Sequence, residues 1–98
     1  MNTVESIKDK IAFKDEGKSV NVLFSEGFKV VGLALKSQQK LEKHSTSTPA
    51  FLLVLEGKID FLIGENKTTL AAQDFIKIHA NELHEIIAID NSKMILIK

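Results

Sequence analysis

From Val20 onward, apolar or alternating stretches of three to eight residues are separated by Gly, Asn, Asp and Ser turn signals. Their spacing is about 8–12 residues, the rhythm of a β-sandwich or closed barrel. The stretches are Val20–Phe24, Phe28–Leu35, Lys40–His44, Ala50–Leu55, Lys58–Ile63, Thr68–Leu70, Asp74–Ile78, His84–Ile89 and Lys93–Lys98. A helical bundle needs apolar runs of ten or more residues at helical period, and only the first dozen residues offer one. There, Val4, Ile7 and Ile11 recur at three- and four-residue spacing, while Ile7, Ile11 and Phe13 equally suit an extended arm. The reading is therefore an all-β domain over residues 20–98, preceded by an N-terminal arm over residues 1–19 that is either helix or strand. Closing the sheet would leave no long edges among so many short apolar strands.

Individual positions refine this reading. Ala50–Leu55 (A-F-L-L-V-L) is continuously apolar, as a strand buried on both faces would be. Lys58–Ile63 alternates, with Ile59, Phe61 and Ile63 facing inward. Glu56-Gly57 between them reads as the turn of a central hairpin, with Gly57 supplying a positive φ. Gly32, inside Phe28–Leu35, marks a bulge or a close approach of another part of the chain. Most of the six phenylalanines are expected in the core.

Composition excludes several functions. The formal net charge is zero and every cation is Lys; there is no Arg, Trp, Tyr or Cys. Without Arg there is no planar fork for phosphate or guanine, and without Trp or Tyr the usual stacking platforms are thin. Nucleic acid is thus not an expected partner. The absence of Cys removes disulfides, thiolate metal sites and Cys nucleophiles together. The polar start, Met1–Lys10, lacks the apolar run of a secretion signal. The longest apolar run has six residues, far below the ~20 needed to span a bilayer. No membrane association and a cytosolic location are expected.

Two segments, L-V-L-E-G-K-I-D-F (Leu53–Phe61) and L-A-A-Q-D-F-I-K-I-H-A-N-E-L-H-E-I (Leu70–Ile86), resemble the small cupins. These are RmlC-like jelly-roll proteins with a double-stranded β-helix fold. The resemblance runs from Leu35 to Lys98. Against the first cupin motif, G-x5-H-x-H-x3/4-E-x6-G, His44 and Gly57 match; Gln38, Thr46 and Ala50 stand where the leading Gly, the second His and the Glu belong. Against the second, G-x5-P-x-G-x2-H-x3-N, His84 matches; Gln73, His79, Asn81 and Ala88 replace the Gly, Pro, second Gly and Asn. Asn81 is a fair substitute, because Asn tolerates the left-handed conformation.

The resemblance implies a cupin-like barrel with His44 and His84 on neighbouring strands facing its mouth. Two imidazoles can begin a site for iron, manganese, nickel or zinc, and Glu42, two residues before His44, would complete a 2-His-1-carboxylate set. The same pair can instead line a metal-free polar pocket. His79 could add an imidazole but reads better as a loop residue. Ser45–Pro49 is either a solvated turn or a hydroxyl-lined recognition loop with Thr46 as its candidate contact. Phe51, on the strand leaving that loop, is the candidate apolar wall.

Three functions follow: a small-molecule-binding cupin, a metal-dependent dioxygenase or isomerase of a small polar metabolite, or a structural or regulatory dimer. Two missing ligands favour the first over the second. A homodimer is expected, because Met94–Ile97 is apolar at four consecutive positions and Val4, Ile7, Ile11 and Phe13 lie outside the barrel motif. Pairing across a two-fold axis would cover both, at an interface above ~1,200 Å².

Overall fold

The computed structural model describes residues 2–98, leaving only Met1 of the expected arm outside the described residues. Nine strands form: β1 Ser19–Glu26, β2 Phe28–Leu35, β3 Lys40–His44, β4 Ala50–Glu56, β5 Lys58–Ile63, β6 Asn66–Ala71, β7 Phe75–Ile78, β8 His84–Ala88 and β9 Ser92–Ile97. They build a five-stranded sheet in the order β1-β2-β9-β4-β7 and a four-stranded sheet in the order β3-β8-β5-β6. Each pairing is antiparallel. Alternation turns Val31, Leu33, Leu35, Leu52, Val54, Met94 and Leu96 of the first sheet toward Ile59, Phe61, Leu70, Ile86 and Ala88 of the second, in one core. The all-β jelly-roll reading holds. Among the described residues no helix is long and apolar enough to cross a membrane.

The central hairpin does not form. β4 lies between β9 and β7, whereas β5 lies between β8 and β6 in the other sheet. Glu56-Gly57 is a corner where the chain crosses from one sheet to the other. A tight Gly turn between two apolar strands looks the same in sequence whether it folds a hairpin or turns a corner. Gly57 still needs its positive φ of 90°. Nor is β4 buried on both faces: Ala50, Leu52 and Val54 are buried while Phe51, Leu53 and Leu55 are half-buried.

The N-terminal segment combines both alternatives, one helical turn at Ile7–Lys10 inside an otherwise extended arm. Ile11 is fully buried against Ala34 and Ile95 on the outer face of the five-stranded sheet, with Phe13 packed beside them. Gly32 makes room for this: a Cβ there would overlap the Ile11 side chain. The close approach is made by a side chain, and the sheet's register shifts lie elsewhere, on β1 between Val22 and Phe24 and on β4 between Val54 and Glu56. The apolar run of β9 is largely satisfied within the chain. Met94 and Leu96 point into the barrel and Ile95 lies under the arm, leaving Ile97 37% exposed.

Phenylalanine behaves differently from expectation. Only Phe61 lies in the barrel interior. Phe24, Phe28 and Phe75 are exposed, and Phe13 and Phe51 are half-buried. Phe24 packs on Phe28 (ring centroids 5.0 Å) and Phe51 stacks on Phe75 (4.8 Å). Both pairs follow the outward parity of Val30 and Leu53 rather than the inward parity of Val31 and Leu52. Strand alternation marks which residues share a face, and the outer face of this sheet is as apolar as many inner ones.

Candidate functional site

His44 and His84 meet at one end of the barrel. They are direct partners on the neighbouring strands β3 and β8. Leu41 pairs with Ile86, so three residues of β3 span what two residues of β8 span, a one-residue bulge. The bulge resets the parity, and Leu41 and His44 both face the barrel. The ring centroids are 4.3 Å apart with an edge-on tilt of 60°. His84 is 2% exposed and stacks on Phe61 at 5.3 Å.

Each imidazole is tied to the backbone two residues upstream. Nδ1 of His44 lies 2.9 Å from the Glu42 carbonyl, and Nδ1 of His84 lies 2.9 Å from the Glu82 carbonyl. A carbonyl oxygen only accepts, so each Nδ1 carries a proton, and a ring in its neutral form presents its Nε2 lone pair. Burial pulls the His84 pKa below its ordinary value, partly offset by the bond to the Glu82 carbonyl; His44 nearby pushes in the same direction as burial. His84 is thus held neutral, as an acceptor or ligand rather than a cation.

Glu42 does not join the pair through its carboxylate. The bulge breaks the two-residue alternation that would have put it on His44's face, so it stays exposed at the rim and engages His44 by its backbone carbonyl. Among the described residues no three His, Asp or Glu converge to hold a metal. Two imidazoles without a carboxylate or third His do not fit a tightly held resident metal, which needs at least three protein ligands. His79 is exposed on the loop after β7, lining a separate groove with Phe51 and Lys77. Phe51 sits on the outer face of β4, away from the histidines, because Ala50 and Leu52 take the inward positions.

Beside His44 opens a cavity of about 460 Å³, walled by Val20, Val22, Val31, Leu33, Leu41 and Leu96 and rimmed by Lys18, Lys29, Lys43 and Lys98. β1 is the edge strand of the larger sheet and exposes Val20 and Val22 here. A second cavity, about 650 Å³, adjoins it through Lys29 and Lys98 and is bounded by Ser45–Thr48 and the Ser25–Phe28 turn. Thr46 lines it, but its hydroxyl donates to the Thr48 carbonyl at 2.6 Å and its own carbonyl accepts from the Asn81 N–H at 2.7 Å. The lysines were missed in the sequence, although Lys29 and Lys98 share the parity of inward-facing Val31 and Leu96.

The turns preserve what the side chains lost. Gln38, Gln73 and Asn81, at the three of the four motif glycine positions that lack glycine, adopt φ of 73°, 77° and 64°. The left-handed backbone persists at each, although only Asn accommodates it readily.

The cupin domain family model matches residues 30–97. No curated protein matches the chain. Among solved structures, the chain is similar to an RmlC-like cupin protein from Desulfovibrio desulfuricans (TM-score 0.87, 21% identity, 99% of this chain and 95% of that one). It is also similar to a conserved protein of unknown function from Streptococcus pyogenes (TM-score 0.86, 17% identity, 99% and 86%). A third is an uncharacterized conserved protein with a double-stranded β-helix domain from Klebsiella pneumoniae (TM-score 0.85, 14% identity, 99% and 87%). At these identities the likeness establishes the fold.

Proposed function

We propose a function from one premise: the chain belongs to the cupin domain family. The protein binds a small molecule at the open end of its barrel, flanked by His44 and His84, and holds no resident metal there. The observation that carries this reading is the facing imidazole pair, each with Nδ1 tied to a carbonyl, beside a cavity of about 460 Å³ with an apolar wall. Apolar walls with a few fixed polar groups are the usual make-up of small-molecule sites. A metal-dependent dioxygenase or isomerase would need a third ligand that the pair lacks. Elemental analysis of protein purified without a metal-affinity tag tests this directly. We expect well under one equivalent of iron, manganese, nickel or zinc; a stoichiometric metal lost in His44→Ala would establish the metalloenzyme instead.

The second part of the reading is a homodimer. Phe24, Val30, Ile97 and Phe51 lie in one register row across β1, β2, β9 and β4 on the outer face of the larger sheet, and Phe28 and Phe75 flank them. The arm's cluster around Gly32 and Ile95 reaches Val30 but leaves Phe24, Phe28, Phe75 and Ile97 exposed. A second copy laid on the uncovered part would bury both aromatic pairs by one two-fold operation. Sedimentation equilibrium at micromolar concentration should give twice the chain mass, and Phe28→Asp should return the monomer. A wild-type monomer would refute the pairing.

A further inference from the structure

The mouth carries a charge pattern that the protein does not neutralise. The N–H of Lys29 donates to the Lys98 carbonyl at 2.7 Å, and the N–H of Lys98 donates to the Lys29 carbonyl at 2.9 Å. This reciprocal exchange defines two residues directly opposite each other on antiparallel strands. Their parity is that of Val31 and Leu96, and both line the mouth cavity. Like charges directly opposed across strands are destabilising. A protein normally relieves such a pair with a carboxylate. Among the described residues the lysines in ion pairs are Lys10, Lys36, Lys40 and Lys93, and neither Lys29 nor Lys98 is among them. Lys18 and Lys43 rim the same cavity, also without ion pairs, so four lysines face two carboxylates there, the Glu42 side chain and the α-carboxylate of Lys98.

The chain as a whole has no net charge, so this concentration is local. Beneath the ammonium groups the wall is Val31, Leu33 and Leu96. We propose that the ligand of this mouth is a small organic monocarboxylate with an apolar body. Its carboxylate lies between Lys29 and Lys98, and its body lies against Val31, Leu33 and Leu96 in reach of the His44 edge. The assignment rests on the small-molecule reading above and names the ligand class for the same site. An anion between the two ammonium groups converts a repulsion into two charge-assisted contacts. The absence of Arg makes these point-charge contacts, so one carboxylate can be shared between both lysines without fork geometry.

The test uses three probes with one body and different heads: 3-phenylpropanoate, 3-phenylpropan-1-ol and 3-phenylpropylammonium. Amide chemical shifts of the full chain are followed during titration at low salt. We expect the carboxylate to bind at least about tenfold more tightly than the alcohol, with shifts at Val31, Leu33 and Leu96, and the ammonium to bind more weakly than either. Lys29→Met should reduce the carboxylate to the affinity of the alcohol and leave the alcohol unchanged; Lys98→Met should do the same independently. Salt should weaken only the carboxylate. An alcohol that binds as tightly as the carboxylate, or a preference that survives both lysine variants, overturns the charge selection and leaves the pocket intact. Failure of all three probes to shift the mouth amides overturns both the ligand class and the small-molecule site.

Discussion

The two ends of the barrel are built from the same strands, yet they handle polar groups in opposite ways. At the closed end Ser92 is fully buried, and its hydroxyl engages the Lys58 N–H (3.0 Å), the Lys58 carbonyl (3.1 Å) and the Asp90 carbonyl (2.8 Å). Asn91 accepts from the Ser37 N–H, and the Ser37 hydroxyl donates to the Ile89 carbonyl. At the open end two lysines oppose each other and two imidazoles keep their Nε2 atoms free of backbone partners. The closed end spends its polar groups on itself, so it specifies the corner. The open end leaves charge and lone pairs available, the state expected of a surface built for something outside the chain.

The sharpest way to break the closed end is Gly57→Val. Its φ of 90° is strained for any side chain, and a Cβ there would overlap the Asn91 carbonyl and lie 2.7 Å from the Ser92 Cα. Backbone cannot yield as a flexible side chain would. We expect a loss of about 4 kcal/mol, at the upper end for single substitutions, read as the shift in a urea midpoint. A stability within 1 kcal/mol of wild type, on the scale of a neutral surface change, would mean the corner is not packed this way.

Ser92→Ala probes the same end through its hydrogen bonds. It leaves the Lys58 N–H without its side-chain acceptor and should cost about 1–3 kcal/mol, the range for a buried group stripped of its partner. Ser92→Thr should recover little, because the added methyl has no room beside Gly57. Equal stability of the alanine variant, measured by the same denaturation, would show that water replaces the hydroxyl.

How much of this was legible follows the same division. Alternation in β5 marked Ile59 and Phe61 for the interior, because a buried face imposes period two on the sequence. The corner at Gly57 was legible as a turn but not as a sheet crossing, since pairing partners are a property of the whole topology. Glu42 was misplaced because a bulge leaves no mark in K-L-E-K-H. The His44–His84 pairing was reached only through the family resemblance; forty residues of separation carry no local signal. Lys29 and Lys98 were invisible as a pair because each looks like an ordinary strand-end lysine until the register sets them opposite.

At the open end, pH distinguishes a held-neutral His84 from an ordinary one. Its native pKa is lowered, mainly by burial. Between the unfolded value, about 6.5, and the lower native value, the unfolded chain binds a proton that the native state does not. Stability should therefore be full above the unfolded value and decline as pH falls through and below it, levelling only once the native ring also protonates. The groups facing the ring are His44 and the Glu82 backbone and side chain. We expect the urea midpoint to fall between pH 7.5 and 5.5, by less than the Ser92→Ala effect. His84→Gln should flatten that slope; an unchanged slope would place the responsible proton elsewhere.

The smallest expected effect is also the one that separates the two ends most cleanly, because it concerns backbone alone. Gln73 and Gln38 hold left-handed conformations near the closed end, fixed by bonds from the Gln73 N–H to the Val54 carbonyl and from the Gln38 N–H to the Ala88 carbonyl, both 2.8 Å. Asn81 holds one at the open end, where its N–H reaches the Thr46 carbonyl. Left-handed geometry costs an ordinary L-residue about 1–2 kcal/mol, and glycine avoids that cost at the expense of a more flexible unfolded chain. Gln73→Gly should therefore stabilise the protein by a few tenths to about 1 kcal/mol. Gln38→Gly should gain less, because its side-chain neighbour Gln39 already ties that turn to the Lys36 N–H and the Lys14 carbonyl. Asn81→Gly should be near neutral, since Asn already tolerates the conformation. Melting temperatures of the three variants give the order directly. A gain at Asn81 larger than at Gln73 would mean that the strain sits at the open end, beside the hydroxyl loop, and not at the corners that close the barrel.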